Sequence, residues 1–190
     1  MLITKNKSAL AYVIGLALGD GNLSNPNKRA VRLRISCDTK YPLLIRQIQD
    51  ALKKVAPHNK VAVVLRSTRC LDVSCYSNDW EKVLGWKVGS KMAQKIHVPI
   101  WIKGKPSYTK VCLRGLLQTD GSIYLDRGYL MVNFVSHSQS LAKDVLDMIE
   151  SLGFCARLSV LRIGNGKSKY TIRVAKETVN FIRTIRLEKK

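Results

Sequence analysis

The sequence is short of acids. Over 190 residues it sets 13 Asp and Glu against 33 Lys and Arg, for a formal net charge of +20. Such an imbalance favours a polyanionic partner over an acidic small molecule, with nucleic acid ahead of an anionic membrane surface. Long apolar runs are missing too. The longest, Ala9 to Gly19, falls well under the roughly 20 residues that span a bilayer, so no membrane helix is expected. Basic residues precede that run as in a signal peptide, but it leads into Gly19, Asp20 and Gly21 instead of a small-residue cleavage site. The expected location is intracellular, in the reducing cytoplasm or nucleoid. Histidines are few and scattered, at 58, 97 and 137, and the five cysteines include no C-x-x-C pair. Neither a zinc site nor a disulfide framework is supported.

What is present is enough apolar material, 46% of the residues, for one ordinary domain or two small ones sharing a core. The chain also repeats itself. VIGLALGDG (Val13 to Gly21) and LRGLLQTDG (Leu113 to Gly121) stand 100 residues apart, each with a glycine in third place and a terminal Asp-Gly. The same spacing pairs Ile35-Ser36 with Val135-Ser136, and Ile45, Ile48 and Leu52 with Val145, Met148 and Leu152. At a spacing of 101, Val73 and Trp80 pair with Val174 and Phe181. This implies an internal duplication, with halves 1–105 and 106–190 joined near Lys103-Gly104-Lys105-Pro106.

Each half reads as helix, two-stranded ribbon, helix, second ribbon and closing helix, an α+β class. Val31 to Asp38 alternates strictly, Val31, Leu33 and Ile35 on one face and Arg32, Arg34 and Ser36 on the other. Tyr41 to Val55 and Ser140 to Leu152 have helical apolar spacing, the second stopped by Gly153. Lys60 to Leu65 and Leu71 to Tyr76 form a hairpin around Ser67-Thr68; Arg157 to Ile163 and Tyr170 to Ala175 form another around Gly164-Asn165-Gly166. Asn78 to Leu84 and Glu177 to Ile185 are the closing helices.

Asp20 and Asp120 end the two apolar helices, each before a glycine expected in a left-handed cap. A carboxylate there meets the negative end of the helix dipole, at a cost of about 0.3–1 kcal/mol. Asp20 is moreover the only acid before Asp38. A lone Asp-Gly after a helix is ordinarily a turn; two at equivalent repeat positions point to a shared site that a cation neutralises. Carboxylates and free helix-end carbonyls are hard oxygen ligands suited to Mg2+, and paired sites of this kind support phosphodiester hydrolysis. Gly15 and Gly19, then Gly115 and Thr119, place small residues four apart for close helix packing.

Together these nonapeptides resemble the paired signature of LAGLIDADG homing endonucleases, in the single-chain, two-motif form of archaeal intron-encoded members. The resemblance covers nearly the whole chain. It implies two αββαββα halves, motif helices at their interface, a saddle of antiparallel strands in the DNA major groove, and Mg2+-dependent cleavage of both strands of a long, pseudo-palindromic duplex by a monomer. Ca2+ would be a non-cleaving substitute. Asp20 and Asp120 become the metal-binding acids, with the Gly19 and Thr119 carbonyls as co-ligands. The family also uses a basic catalytic residue beyond the second ribbon, for which Lys91 is the candidate in the first half, with Lys95 next and Lys189 its counterpart. The sequence departs from the family at Leu18 and Gln118, where an acid is common; the departure is expected to touch packing alone. For the water-activating partner it offers Cys37 or Asp38 and Ser136 or His137.

Strand alternation nominates the DNA-reading side chains: Arg32, Arg34, Arg66 and Arg69, then Asn133, Arg157, Arg162, Lys169 and Arg173, with Asn25, Lys28 and Arg29 reaching the flanks. Trp80, Trp86, Trp101, Phe134 and Phe181 are assigned to the core. Two alternatives keep the fold: an intron-splicing maturase bound to intron RNA, and a non-catalytic nucleic-acid-binding protein. With Met1 first and Lys189-Lys190 last, a freestanding, intron-encoded product is expected in place of an intein.

Overall fold

In the computed structural model, which describes residues 6–164 and 166–188, helix α1 (Lys7–Asp20) is apolar on every side and buried from Leu10 to Leu18. A helix hydrophobic all round has to be central. Its main neighbour is α5 (Pro106–Thr119), the equivalent helix of the second repeat. Asn6 caps α1, accepting from the Ala9 N–H at 3.0 Å, and Pro106 opens α5.

A four-stranded antiparallel sheet follows each of these helices. β1 (Gly21–Ser24), β2 (Arg32–Asp38), β3 (Val61–Ser67) and β4 (Cys70–Tyr76) lie in the order β1-β2-β4-β3. β5 (Gly121–Asp126), β6 (Tyr129–Ser136), β7 (Ala156–Ile163) and β8 (Lys167–Val174) repeat it as β5-β6-β8-β7. Amphipathic helices α2 (Pro42–Val55) and α6 (Gln139–Ser151) pack their apolar stripes under the sheets, and α3 (Trp80–Leu84) and α7 (Thr178–Ile185) close the halves. The strict alternation expected of β2 holds, with Leu33 and Ile35 fully buried. Trp80, Phe134 and Phe181 are fully buried and Trp86 is buried. Trp101 departs from its core assignment: it is 36% exposed and meets Tyr108 edge-on at 5.4 Å.

The uniform spacing of the repeat does not survive in the structure. Gly21 pairs with Ile35, but Gly121 pairs with Phe134, so Ile35 corresponds to Phe134 and not Val135. Likewise Val73 lies opposite Ile35 and Ile172 opposite Phe134, which makes Ile172, not Val174, the partner of Val73. In the helices Leu44, Ile48 and Leu52 match Leu141, Val145 and Ile149 as buried positions. The connections absorb the shifts: a long loop joins β1 to β2, whereas Arg127 and Gly128, both at positive φ, turn β5 into β6. The second strand of the last hairpin begins at Lys167, earlier than expected; Asn165 of its turn lies outside the described residues.

The segment between the halves has a structure of its own. It forms a 3-10 turn at Lys91–Ala93 and a short helix α4 (Ile100–Lys103). Buried Asp144 of α6 holds it, accepting from Val98 N (2.7 Å) and Lys103 Nζ (2.6 Å), with His97 Nδ1 at 3.2 Å. Gln94 staples the turn through the Lys87 N–H (2.8 Å) and Lys87 carbonyl (3.0 Å). The segment carrying Lys91 is thereby fixed against both halves.

Candidate metal centre and nucleic-acid interface

The ends of α1 and α5 meet because their contact positions are small. A Cβ built on Gly15 would strike the Cys112 carbonyl, and one on Gly115 would stand 2.7 Å from the Tyr12 carbonyl and 2.8 Å from the Leu16 nitrogen. One turn on, a Cβ on Gly19 would strike Thr119 Oγ1 and come within 3.4 Å of an Asp120 carboxylate oxygen. Asp120 therefore lies against the last turn of the opposite motif helix, at the end where Asp20 closes α1. Both acids have further contacts of their own.

The glycines after the acids do not take the left-handed conformation expected of them. Gly21 is extended, at φ −78° and ψ 146°, and neither Gly21 nor Gly121 is at positive φ. The requirement is room: a Cβ at either would run into the carbonyl four residues back, Ala17 or Leu117. Here the chain turns straight from helix into strand, and the sheet's first strand grazes the helix end.

Lys91 reaches this seam. Its Nζ donates to the carbonyls of Ala17 (3.2 Å), Leu18 (3.0 Å) and Gly19. An ammonium on three C-terminal carbonyls answers the helix dipole and the unsatisfied acceptors together. Burial lowers the Lys91 pKa from the usual lysine value, while the charges of Asp120 and then Asp20 act to raise it. The three candidate catalytic groups are thus brought together. Lys95 is exposed, and Lys189 lies outside the described residues.

Does the donor set suit a divalent cation? Two carboxylates from equivalent helix ends, the Thr119 carbonyl, and the Gly19 carbonyl that here accepts from Lys91 are all hard oxygens. Among the described residues no three His, Cys, Asp or Glu side chains form a cage. The set fits an ion such as Mg2+, which keeps waters and completes its shell with substrate phosphates. The site also already draws a positive charge, that of Lys91.

The water-partner candidates are dispersed. Cys37 is buried on the core face of β2, within electrostatic reach of Tyr12, two turns of α1 before Asp20. Asp38 is tied to Lys40, by its backbone N–H at 2.9 Å and its ammonium at 3.0 Å, and these bonds lower its pKa. Ser136 accepts from the Ser138 N–H at 3.1 Å, and His137 Nδ1 stands 3.1 Å from the Ser168 carbonyl.

Away from the core, the two sheets present polar faces. On the first, Arg32, Arg34 and Ser36 of β2 share a face with Asp72 and Ser74 of β4, and Arg66 reaches the same group. Arg32 Nε donates to Ser24 Oγ at 3.3 Å. Arg69 lies in the exposed turn, and Asn25, Lys28 and Arg29 in the exposed loop after β1, with Lys28 at φ 54°. On the second, Asn133, Arg157, Lys169 and Arg173 share a face. Arg162 does not. It pairs with Ser168 and lies on the same face as Leu158, which is opposite buried Ile172, so it belongs to the core-side face, though it is exposed.

Several functional contacts were missed. Asp72, Ser24 and Tyr124, whose hydroxyl accepts from Asn133 Nδ2 at 2.8 Å, sit among the nominated cations. Gln118 does more than pack. It accepts from Tyr12 Oη at 2.6 Å and donates to Gln47 Oε1 (2.9 Å) and the Glu188 carbonyl (2.8 Å), while Leu18 is simply buried. Burial raises the Tyr12 pKa well above its ordinary value, partly countered by the charge of Arg114 over its ring, so its hydroxyl remains a donor.

Known proteins share this architecture. The profile of the LAGLIDADG-like domain matches residues 108–186, and that of the WhiA LAGLIDADG-like domain matches residues 9–71. Variants of the homing endonuclease I-DmoI are 18% identical, with a TM-score of 0.66 over 94% of this chain and 95% of theirs. I-DmoI in complex with DNA and Mn gives 19% identity and a TM-score of 0.64 over 94% and 96%; that protein is also known with DNA and Ca. The N-terminal LAGLIDADG domain of WhiA gives 14% identity and a TM-score of 0.65 over 99% of this chain and 87% of that one. No protein of curated function matches the sequence. No described helix is long and apolar enough to cross a membrane.

Proposed function

We propose that this chain, built of two LAGLIDADG-like domains, is a metal-dependent, site-specific DNA endonuclease that cuts both strands of a long, pseudo-palindromic target, as in intron homing. Residues 1–105 and 106–190 are its two halves, and one copy suffices. The observation that carries the reading is the meeting of Asp20 and Asp120 at one end of the α1–α5 seam, with Lys91 on the carbonyls beside them. Acids at that end oppose both helix dipoles and each other, and packing alone gives no reason for them.

In this reading Asp20 and Asp120, with the Gly19 and Thr119 carbonyls, hold Mg2+. The ion would activate water and offset charge on the leaving oxygen. The chain's own work is positioning. The polar sheet faces bind phosphates and base edges through Arg32, Arg34, Arg66, Asn133, Arg157, Lys169 and Arg173. Arg69, Asn25, Lys28 and Arg29 hold the flanks. Lys91 Nζ keeps a proton donor at the end of α1, within the field of both carboxylates, where a scissile phosphate would lie.

The test is incubation of the protein with a randomised duplex library at low salt, with Mg2+, with Ca2+ and with chelator. Double-strand products in Mg2+ alone are expected. Binding should weaken roughly 10³- to 10⁵-fold between 50 and 200 mM salt if about 6 to 10 phosphates are contacted. Because the first half matches the WhiA type, a second reading stands beside this one: the same fold binding intron RNA as a maturase, or DNA, without cutting. Tight binding with no cut in any divalent ion would decide for it, and structured RNA outcompeting duplex would identify the maturase.

A further inference from the structure

An acid on a surface meant for phosphates needs a reason. Asp72, in the middle of β4, belongs to the polar face of the first sheet and is only 5% exposed. There it loses hydration and repels a polyanion. Its neighbours account for its burial. Ser36, its cross-strand partner on β2, donates Oγ–H to Asp72 Oδ1 at 2.7 Å. Oδ2 faces two guanidiniums, Arg34 Nε at 3.6 Å and Arg66 Nε at 3.5 Å. The Arg34 Nε is buried and makes no hydrogen bond, so charge attraction to Asp72 is what the structure gives it. Arg66 stands at the irregularity in β3 between Leu65 and Ser67.

The geometry points to Asp72 as a positioning residue for base reading: it holds Arg34 and Arg66 by their Nε edges, so that both present their terminal nitrogens from the sheet at a fixed spacing. This inference rests on the DNA-binding reading above. An arginine fork held in place can bind guanine O6 and N7 in the major groove, whereas a free one settles on any phosphate. The second half solves the same problem without an acid. Thr171 takes the place of Asp72 beside Ile172, and Arg173 Nε instead donates to Asn133 Oδ1 at 3.3 Å. Arg34 and Arg66 should therefore read two guanines in the half-site bound by the first sheet.

The test is selection of bound duplexes from a randomised library by the full chain, wild type beside Asp72→Asn, with melting temperature and affinity for bulk random duplex measured on both. Wild type should prefer guanine at two positions of one half-site by roughly 5- to 150-fold each. In Asp72→Asn both preferences should collapse while affinity for random duplex rises, since a negative charge leaves the face. A purely structural acid would give the opposite pattern, weaker binding to every sequence with preferences kept, and that result overturns the inference. So do unchanged preferences. Should Asp72→Asn fail to fold, Arg66→Lys at an exposed site decides: it should lose one guanine preference at unchanged melting temperature, and retention of both overturns the inference. A wild type that binds no duplex defeats the DNA reading itself, an outcome distinct from all of these.

Discussion

The two halves agree where they touch each other and differ where they face outward. α1 and α5 keep small residues at the crossing, the acids at the same end and the same strand order after them. The polar faces have diverged: Arg34 and Asp72 in the first sheet correspond to Asn133 and Thr171 in the second. Even the seam is unequal, since Lys91 caps α1 and Gln118 joins α5 to α2. Duplication has preserved what backbone contact dictates and released what a ligand dictates. On the proposed DNA-binding reading, that difference is expected to give an asymmetric target, each half-site read by its own set of side chains.

The largest effect tests whether the acids act as one site. Asp20→Asn and Asp120→Asn should each reduce cleavage of both strands by about 10³-fold or more, the scale expected when a group stabilising developing charge is lost. Affinity for duplex should hold or rise. Nicked circles from either variant, with one strand still cut at the wild-type rate, would mean that each half serves its own strand, and the shared site would be wrong.

Next comes Lys91, which only one half supplies to the described seam. Lys91→Met should slow cleavage by about 10²-fold with DNA affinity nearly intact. A drop in affinity with the cutting rate at saturation unchanged would reassign it to phosphate binding. A third comparison concerns stability. Gly15→Ala should cost more than Gly115→Ala, because the Cβ of the first meets the Cys112 carbonyl more closely than that of the second meets Tyr12. Overpacking of this kind costs about 1–3 kcal/mol, and equal denaturation midpoints would show that the helices slide apart freely.

How much of this could be read from the residues alone depended on what each pattern encodes. Helices, hairpins and the buried face of β2 followed from periodicity, a local property. The acid pair stood out because the chain is so poor in acids. Asp72 was as visible as Asp20, alternating with Leu71 and Val73, yet its meaning lies in cross-strand register with Ser36, and register is a tertiary fact. Arg162 failed for the related reason that this hairpin is exposed on both faces, each mixing apolar and polar residues, so the pattern could not tell them apart. Gly21 and Gly121 were marked as special correctly but for the wrong cause, φ in place of clearance. The grip on Lys91 by its carbonyls required the linker turn held by Gln94, and no repeat announces that segment.

The smallest effect concerns the sixth motif position, where one half has Leu18 and the other Gln118. Gln118→Leu makes the motifs alike, removing bonds to Gln47 and Glu188 and taking the acceptor from Tyr12. Tyr12 Oη keeps Gln47 Oε1 at 3.3 Å, so the loss should be near the low end for a buried polar group stranded, about 1 kcal/mol. The converse, Leu18→Gln, puts an amide among apolar neighbours and should cost more, about 1–3 kcal/mol. Tyr12→Phe made together with Gln118→Leu should cost less than the two single losses added, because neither partner is then left stranded. Simple additivity in urea unfolding would mean that the network does not couple α1 to α5, and that the seam is held by the glycine contacts alone.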